Sequence, residues 1–271
     1  MKQFPEGTRA LPVMLQRNSF GPRLVARAAD VWRAMQDVVV DESTAVGWPP
    51  ERYAATNCMF VVRNMTVKHL RELRIGEPLT GFTWVSRARR SVLFTREVRL
   101  FTGDELVAGA TQEWAFLTRD LEPTKPGPEL YEAFPIIEGL PRVELPKTEP
   151  LPAAAPKHEF RFHTWHTWMD PFAHINHPAY VDFCDEATCR ILAKAGVEPQ
   201  HLVPVSEQVH FRAPIAADLE VLVETVLTGT VGNAAVLEHR VFVGDKMCAM
   251  ATTLRALLGD PATSWTKAFG P

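Results

Sequence analysis

Glu97-Val98-Arg99-Leu100-Phe101-Thr102-Gly103-Asp104 returns 141 residues later as Glu238-His239-Arg240-Val241-Phe242-Val243-Gly244-Asp245. The shared pattern is E-x-R-x-F-x-G-D. At the same spacing Ala108, Ala110, Thr111, Ala115 and Leu117 return as Ala249, Ala251, Thr252, Ala256 and Leu258. Ten of the 21 positions from Glu97 to Leu117 are identical, where unrelated segments share roughly one or two. Extended upstream without a gap, the spacing pairs Val62, His69 and Arg71 with Val203, His210 and Arg212. Such self-similarity describes a duplicated domain.

The repeat also carries its own secondary structure. Residues 80–102 and 105–118 alternate apolar and polar side chains and are rich in Val, Thr, Phe and Trp, the pattern of half-buried strands. Thr102-Gly103-Asp104 and Val243-Gly244-Asp245 sit between such runs and predict hairpin turns. Ahead of the strands each copy carries a helical stripe. In the second it is Tyr180, Phe183, Cys184, Ala187 and Ile191, opposed by Asp182, Glu186, Arg190 and Lys194 and closed by Gly196. In the first it is Leu24, Ala28, Val31, Trp32, Met35 and Val39. The helices match at a spacing near 150, which predicts about ten extra residues in the first copy between Gly47 and Val62. One long apolar helix before several long strands must bury its stripe against the sheet they form, an α+β arrangement. Nine prolines between Glu122 and Lys157 read as a semi-stiff linker, with a short helix around Glu129 to Phe134. The expected domains are therefore residues 1–121, a linker over 122–157, and residues 158–271.

With 46% apolar and 23% charged residues and a net charge of −3, the 271-residue chain has the composition of a globular protein without a field of one sign. Charge gives no support to nucleic-acid or anionic-membrane binding. No apolar run reaches the length of a membrane span, and residues 1–10 lack the apolar stretch of a secretory signal. Cys58, Cys184, Cys189 and Cys248 form no CxxC pair and read as reduced core thiols, which points to a cytoplasmic protein.

The chemistry concentrates in Trp168-Met169-Asp170-Pro171-Phe172-Ala173-His174-Ile175-Asn176-His177-Pro178-Ala179-Tyr180. Asp170, His174, Asn176 and Tyr180 fit D-x-x-x-H-x-N-x-x-x-Y, and here the sequence resembles the hotdog-fold thioesterases, the 4-hydroxybenzoyl-CoA thioesterase-like family. The duplication resembles the tandem double hotdog of the acyl-ACP thioesterases, each unit a long central helix wrapped by an antiparallel sheet. The resemblance implies hydrolysis of an acyl-CoA or acyl-ACP thioester with no metal or cofactor. Asp170 would serve as general base on water or as nucleophile. His174 would orient it or bind the thioester oxygen, Asn176 would fix the loop or the water, and Tyr180 would be structural. The oxyanion would form near the N-terminus of the following helix. The acyl-ACP branch carries an Asn midway between its Asp and His, where this chain has Phe172. It also uses a downstream Glu, for which Glu207 stands at about the right distance and His210 is the alternative.

At a spacing of 152 the four signature residues correspond to Asn18, Pro22, Leu24 and Ala28, with Phe20 opposite Phe172. The first copy is thus expected to have kept the fold and lost the chemistry. His163 and His166 have H-x-x-H spacing, but on a strand they face opposite sides, against a shared metal. Two other readings stay open at this point, an acyl-CoA hydratase or dehydratase and a non-catalytic acyl-thioester-binding module. One chain supplies two hotdogs, so a monomer suffices, and a homodimer is equally compatible.

Overall fold

The computed structural model describes residues 3–90, 92–151 and 155–270; Pro152 of the expected linker lies outside them. Its contacts group the chain into two units, Met1–Ser19 with Asp30–Glu144, and Phe20–Ala29 with Leu145–Pro271.

In the first unit β1 (Leu11–Val13) precedes α1 (Ala28–Ala45) and α2 (Pro50–Ala55). There follow β2 (Cys58–His69), β3 (Leu79–Arg89), β4 (Leu93–Thr102), β5 (Glu105–Thr118) and α3 (Pro128–Ala133). The strands are antiparallel, in the order β1-β3-β4-β5-β2. The helical stripe buries as periodicity demands: Val31, Trp32, Met35 and Val38 are at most 2% exposed. Leu24 departs from expectation. It lies ahead of the helix at φ 58 and is 59% exposed, so it belongs to the loop. The fit of α1 on the sheet is close, because a Cβ on Gly81 would stand 2.2 Å from Val38 Cγ2. Gly81→Ala should therefore destabilise the protein by about 1–3 kcal/mol through overpacking. Val38→Ala in the same chain should return part of that loss, a coupling that urea unfolding of the two single variants and the double variant measures. A purely additive result would contradict it.

In the second unit β6 (Glu149–Pro150) and β7 (His158–His163) precede α4 (Ala179–Lys194). They are followed by β8 (Leu202–Phe211), β9 (Glu220–Val231), β10 (Ala234–Val243), β11 (Lys246–Leu257) and α5 (Pro261–Phe269). The antiparallel order is β8-β11-β10-β9, with β6 and β7 both pairing β9. Both repeated hairpins close through a Gly-Asp loop, with Gly103 at φ 57 and Gly244 at φ 55, backbone that glycine adopts without penalty.

Two local differences between the copies shift the repeat. Three residues separate β3 from β4, where the β9–β10 turn has only two, 232–233. Strands ahead of that turn therefore match at a spacing of 142: Val209 answers Val67, both 0% exposed, and Phe211 answers His69. The gapless pairing of His69 with His210 was one residue out of register, and in a strand one residue changes the face. His69 is accordingly buried and His210 exposed. The helices and edge strands match at 149, so the first copy's excess before its second strand is seven residues, not ten, and α2 occupies it.

Glu97 and Arg99 likewise differ from their repeats. They are 0% and 5% exposed, whereas Glu238 and Arg240 face solvent. The segment after β5 folds back over them. Arg99 Nη2 donates to Pro141 O at 2.8 Å, and Thr111 Oγ1 donates to Glu97 Oε2 at 2.6 Å while accepting from Val143 N at 2.8 Å. Burial raises the Glu97 pKa and lowers that of Arg99, each opposed by the other's charge.

Candidate active site

The chain enters the signature through a 3-10 turn, His166–Trp168, and then doubles back on itself. Met169 pairs antiparallel with Ile175, Asp170 N donates to His174 O at 2.7 Å, and Asn176 N donates to Trp168 O at 3.1 Å. Asp170 sits at the turn of this small hairpin. Its Oδ1 accepts from Phe172 N at 2.8 Å and His174 N at 3.2 Å, an Asx-type arrangement that fixes the carboxylate on its own loop. Ala173, at φ 59, completes the reversal. Among the described residues, Asp170 Oδ2 and the His174 ring accept or donate no hydrogen bond, and both side chains are half-buried. The loop thus presents an anchored carboxylate with one oxygen open, and an imidazole with both nitrogens open.

Helix α4 begins three residues past Asn176. Its first amides are engaged: Ala179 N donates to Asn176 O at 2.9 Å and Tyr180 N to His177 O at 3.3 Å. The helix therefore reaches the loop through its dipole, not through open N–H groups. Tyr180 is 3% exposed and packs edge-on to Phe211 with ring centroids 5.2 Å apart. Burial raises its hydroxyl pKa, with Cys248 and the Asp170 carboxylate adding to the effect. A structural place for Tyr180 agrees with the sequence reading.

The first copy contains the same small hairpin without the side chains. Phe20 pairs with Ala26, Gly21 N donates to Val25 O at 2.9 Å, and Leu24 takes the positive φ. Matched by this geometry, the spacing is 149. Asp170, Phe172, His174, Asn176 and Tyr180 correspond to Gly21, Arg23, Val25, Arg27 and Val31. The correspondence at 152 with Asn18, Pro22, Leu24 and Ala28 is replaced, and Phe20 answers Met169 instead of Phe172. The conclusion about chemistry is unchanged, since no signature side chain survives. Arg23 instead holds its own loop, donating from Nε to Gln200 O at 2.6 Å and from Nη2 to Leu202 O at 3.2 Å.

Glu207 comes from β8, the strand that follows α4. It is 0% exposed on β8, and its Oε1 accepts from Arg255 Nη1 at 2.5 Å. Arg255 Nε donates in turn to Asp185 Oδ1, on the second turn of α4, at 2.8 Å. Burial opposes the Arg255 charge, but the two carboxylates outweigh it and its pKa rises. At the equivalent positions the first unit has Met65, Trp114 and Gln36, so this triad belongs to the copy that keeps the signature. Beside it His239, 1% exposed, lies between Thr225 Oγ1 at 3.0 Å and Thr253 Oγ1 at 2.9 Å. Sequence reasoning singled out Glu207 but not its neighbours Arg255, Asp185 and His239, because strand and helix residues of these types read as solvent-facing.

Burial, and secondarily the Arg255 charge, lower the His239 pKa from 6.5 to about 3. The folded ring is therefore neutral where the unfolded one takes a proton. Stability should be full above about pH 6.5 and fall as the pH drops toward 3, with a limiting slope of about 1.4 kcal/mol per pH unit from this group. Urea midpoints across that window should show a shallower dependence in His239→Gln. An identical slope would remove His239 as the cause.

The profile of the thioesterase-like superfamily matches residues 164–259, and that of the thioesterase superfamily matches residues 45–108. The chain belongs to the thioesterase superfamily. It is a thioester hydrolase built as two hotdog domains in tandem. Among solved structures this thioesterase resembles a Lactobacillus plantarum protein assigned as an oleoyl thioesterase, with TM-score 0.79, 17% identity, and coverage of 94% of this chain and 98% of that one. It also resembles the 12:0-ACP thioesterase of Umbellularia californica, with TM-score 0.72, 16% identity, and coverage of 92% and 97%. For an acyl-ACP thioesterase of Bacteroides thetaiotaomicron the values are 0.70, 12%, 92% and 97%. At these identities the likeness fixes the fold. No curated protein matches the sequence. No helix among the described residues is long and apolar enough to cross a membrane.

The surroundings of the 168–176 loop are aromatic. Trp165 and Trp168 stack with centroids 4.8 Å apart, and Trp168 continues into Phe162 and Phe183. Trp165 is 62% and Phe172 is 45% exposed. Phe172 puts an apolar ring on the loop, midway between Asp170 and His174.

Proposed function

We propose that this thioesterase hydrolyses an acyl-CoA or acyl-ACP thioester to free acid and thiol at the 168–176 loop. The observation that carries the reading is the Asp170 carboxylate, anchored through Oδ1 by two loop amides with Oδ2 left open, on the same loop as the unengaged His174 ring. As general base, Oδ2 takes a proton from water while the water oxygen attacks the thioester carbon. The tetrahedral intermediate then collapses, the C–S bond breaks, and the departing sulfur takes a proton. As nucleophile, Oδ2 attacks the carbon itself, the C–S bond breaks and the thiolate leaves and takes a proton, and water then hydrolyses the resulting anhydride to free acid and the Asp170 carboxylate. His174 donates to the developing oxyanion, and the α4 dipole adds to that stabilisation. Asn176 holds the base of the hairpin through its backbone. Glu207 acts as a positioning residue, through Arg255 and Asp185, on the helix that follows the loop. In this reading residues 158–271 are the catalytic hotdog, residues 1–121 its non-catalytic partner and residues 122–157 the connector. The named activities of the structural neighbours, an oleoyl and two acyl-ACP thioesterases, support an acyl thioester as substrate.

The test is free-thiol release from a panel of acyl-CoA and acyl-ACP thioesters of varied chain length and ring content. Turnover of one class is expected and names it. Hydration of enoyl thioesters without thiol release, or tight binding without turnover, would replace the hydrolytic reading.

A further inference from the structure

The second unit has a cleft of about 520 Å³ between the C-terminal half of α4, the start of β7, and α5. That volume lies within the range of small-molecule clefts. Ile191 is twelve residues beyond Ala179 on the same helix, roughly 18 Å from the signature end at 1.5 Å per residue. The cleft is thus separate from the 168–176 loop. Its wall is apolar, from Phe160, Ala187, Ile191, Ala195 and Ala268, and its polar edge is cationic.

Lys157, Arg190, Lys194 and Lys267 line it against a single lining carboxylate, Glu159. Lys157 is paired with Glu159 and Glu224, and Arg190 with Glu186. Lys194 and Lys267 have no carboxylate partner among the described residues. His158 also lines the cleft, and its Nε2 is buried without a hydrogen-bond partner among the described residues.

The first unit provides a control inside the same chain. At the spacing of 149, His158, Arg190, Ile191 and Lys194 correspond to Arg9, Asp41, Glu42 and Ala45. There the equivalent gap between edge strand and helix is bridged by Arg9 Nε to Glu42 Oε2 at 3.1 Å, and the helix rim is acidic. The second copy has lost the bridge, gained an apolar wall at Ile191, reversed the rim charge, and added Lys267 from a helix that follows the repeat. Neither fold constraint nor net charge calls for these four changes together. An elongated apolar wall under two unpaired ammonium groups fits one kind of ligand, a chain with an anionic end.

We infer that this cleft is a second binding site, for an amphiphilic carboxylate whose alkyl chain lies along Phe160, Ile191 and Ala195 and whose head meets Lys194 and Lys267. An acid of this class is also what the proposed hydrolysis releases, but the inference stands on the cleft alone.

The test is photolabelling of the whole protein with a medium-chain alkyl carboxylate carrying a diazirine, with the labelled peptides mapped by mass spectrometry. Label is expected on peptides holding residues 157–160, 190–195 and 267–268, and it should persist in Asp170→Asn. It should fall about tenfold in Lys194→Glu/Lys267→Glu, and by less in Lys194→Gln/Lys267→Gln. Thiol release and the unfolding midpoint of both double variants should match the wild type. Label confined to residues 165–180, label unchanged in the charge-reversed variant, or equal labelling by the matched alkanol would overturn the assignment. Absence of thiol release from the wild type would remove the proposed hydrolysis and leave the cleft result standing.

Discussion

Asp170→Asn should lower kcat/KM for thiol release by roughly 10²–10⁴-fold, the usual cost of losing a positioned base or nucleophile. It should do so with little change in stability. The reason lies in how the carboxylate is held. Oδ1 serves the loop by accepting from Phe172 N and His174 N, and Oδ2 is the oxygen left for chemistry. Asparagine keeps an acceptor oxygen for the two amides and replaces the second oxygen by an amide group that neither takes a proton nor attacks carbon. Asp170→Ala removes both functions, so it should match the Asn variant in lost rate and also destabilise the protein by about 1–2 kcal/mol. Rates and urea midpoints for the two variants separate the roles. If Asp170→Asn retained most of its rate and Asp170→Ala lost it, Asp170 would be a loop anchor and the chemistry would lie elsewhere.

Arg255→Leu should be the most destabilising single change in the second unit, by about 3–5 kcal/mol. The change removes the cation that pairs with both Glu207, which has no exposed surface, and Asp185. For a chain of this size that loss lowers the unfolding midpoint by roughly 6–20 °C. The sign with pH is specific. Without Arg255 the folded-state carboxyl pKa values rise above their unfolded values, so the penalty is full at neutral pH and shrinks as acid protonates them. Asp185→Asn/Glu207→Met/Arg255→Leu should recover much of the loss, because no buried charge remains. Glu207→Met places there the residue found at the equivalent position, Met65. Thermal unfolding of the single and triple variants tests this, and a triple variant no more stable than the single one would contradict the ion-pair account.

The duplication was legible because hairpin strands and Gly-Asp turns constrain side chains at fixed spacing, and both copies retain them. Its register was legible only downstream of the β3–β4 turn. One residue more in that turn, and seven more around α2, shift the upstream matches to 142 and 149, and chance identities such as His69 with His210 mask the shift. The helix stripe was readable from Ala28 onward. Leu24 was misplaced because an apolar residue at helical spacing does not reveal the positive φ that ends the loop. The signature loop itself was readable, since Asp170, His174 and Asn176 lie within seven residues and a single hairpin orders them. The environment of Glu207 was not. Its partner Arg255 comes from β11, 48 residues later, and the second carboxylate on Arg255 comes from α4, 22 residues earlier, and no local pattern encodes such contacts. The opposite fates of Glu97 and Glu238 follow from covering by the segment after β5, which alternation within a strand does not record.

The most direct measurement is a crystal structure of Asp170→Asn with an intact acyl-CoA thioester bound. The expected result places the thioester carbonyl carbon within about 3.5 Å of the side chain at position 170, or one water away, with its oxygen toward His174. A thioester carbonyl seated away from the 168–176 loop, whether in the α4–α5 cleft or against the first copy's Gly21–Val25 hairpin, would contradict the assignment of the reaction to that loop.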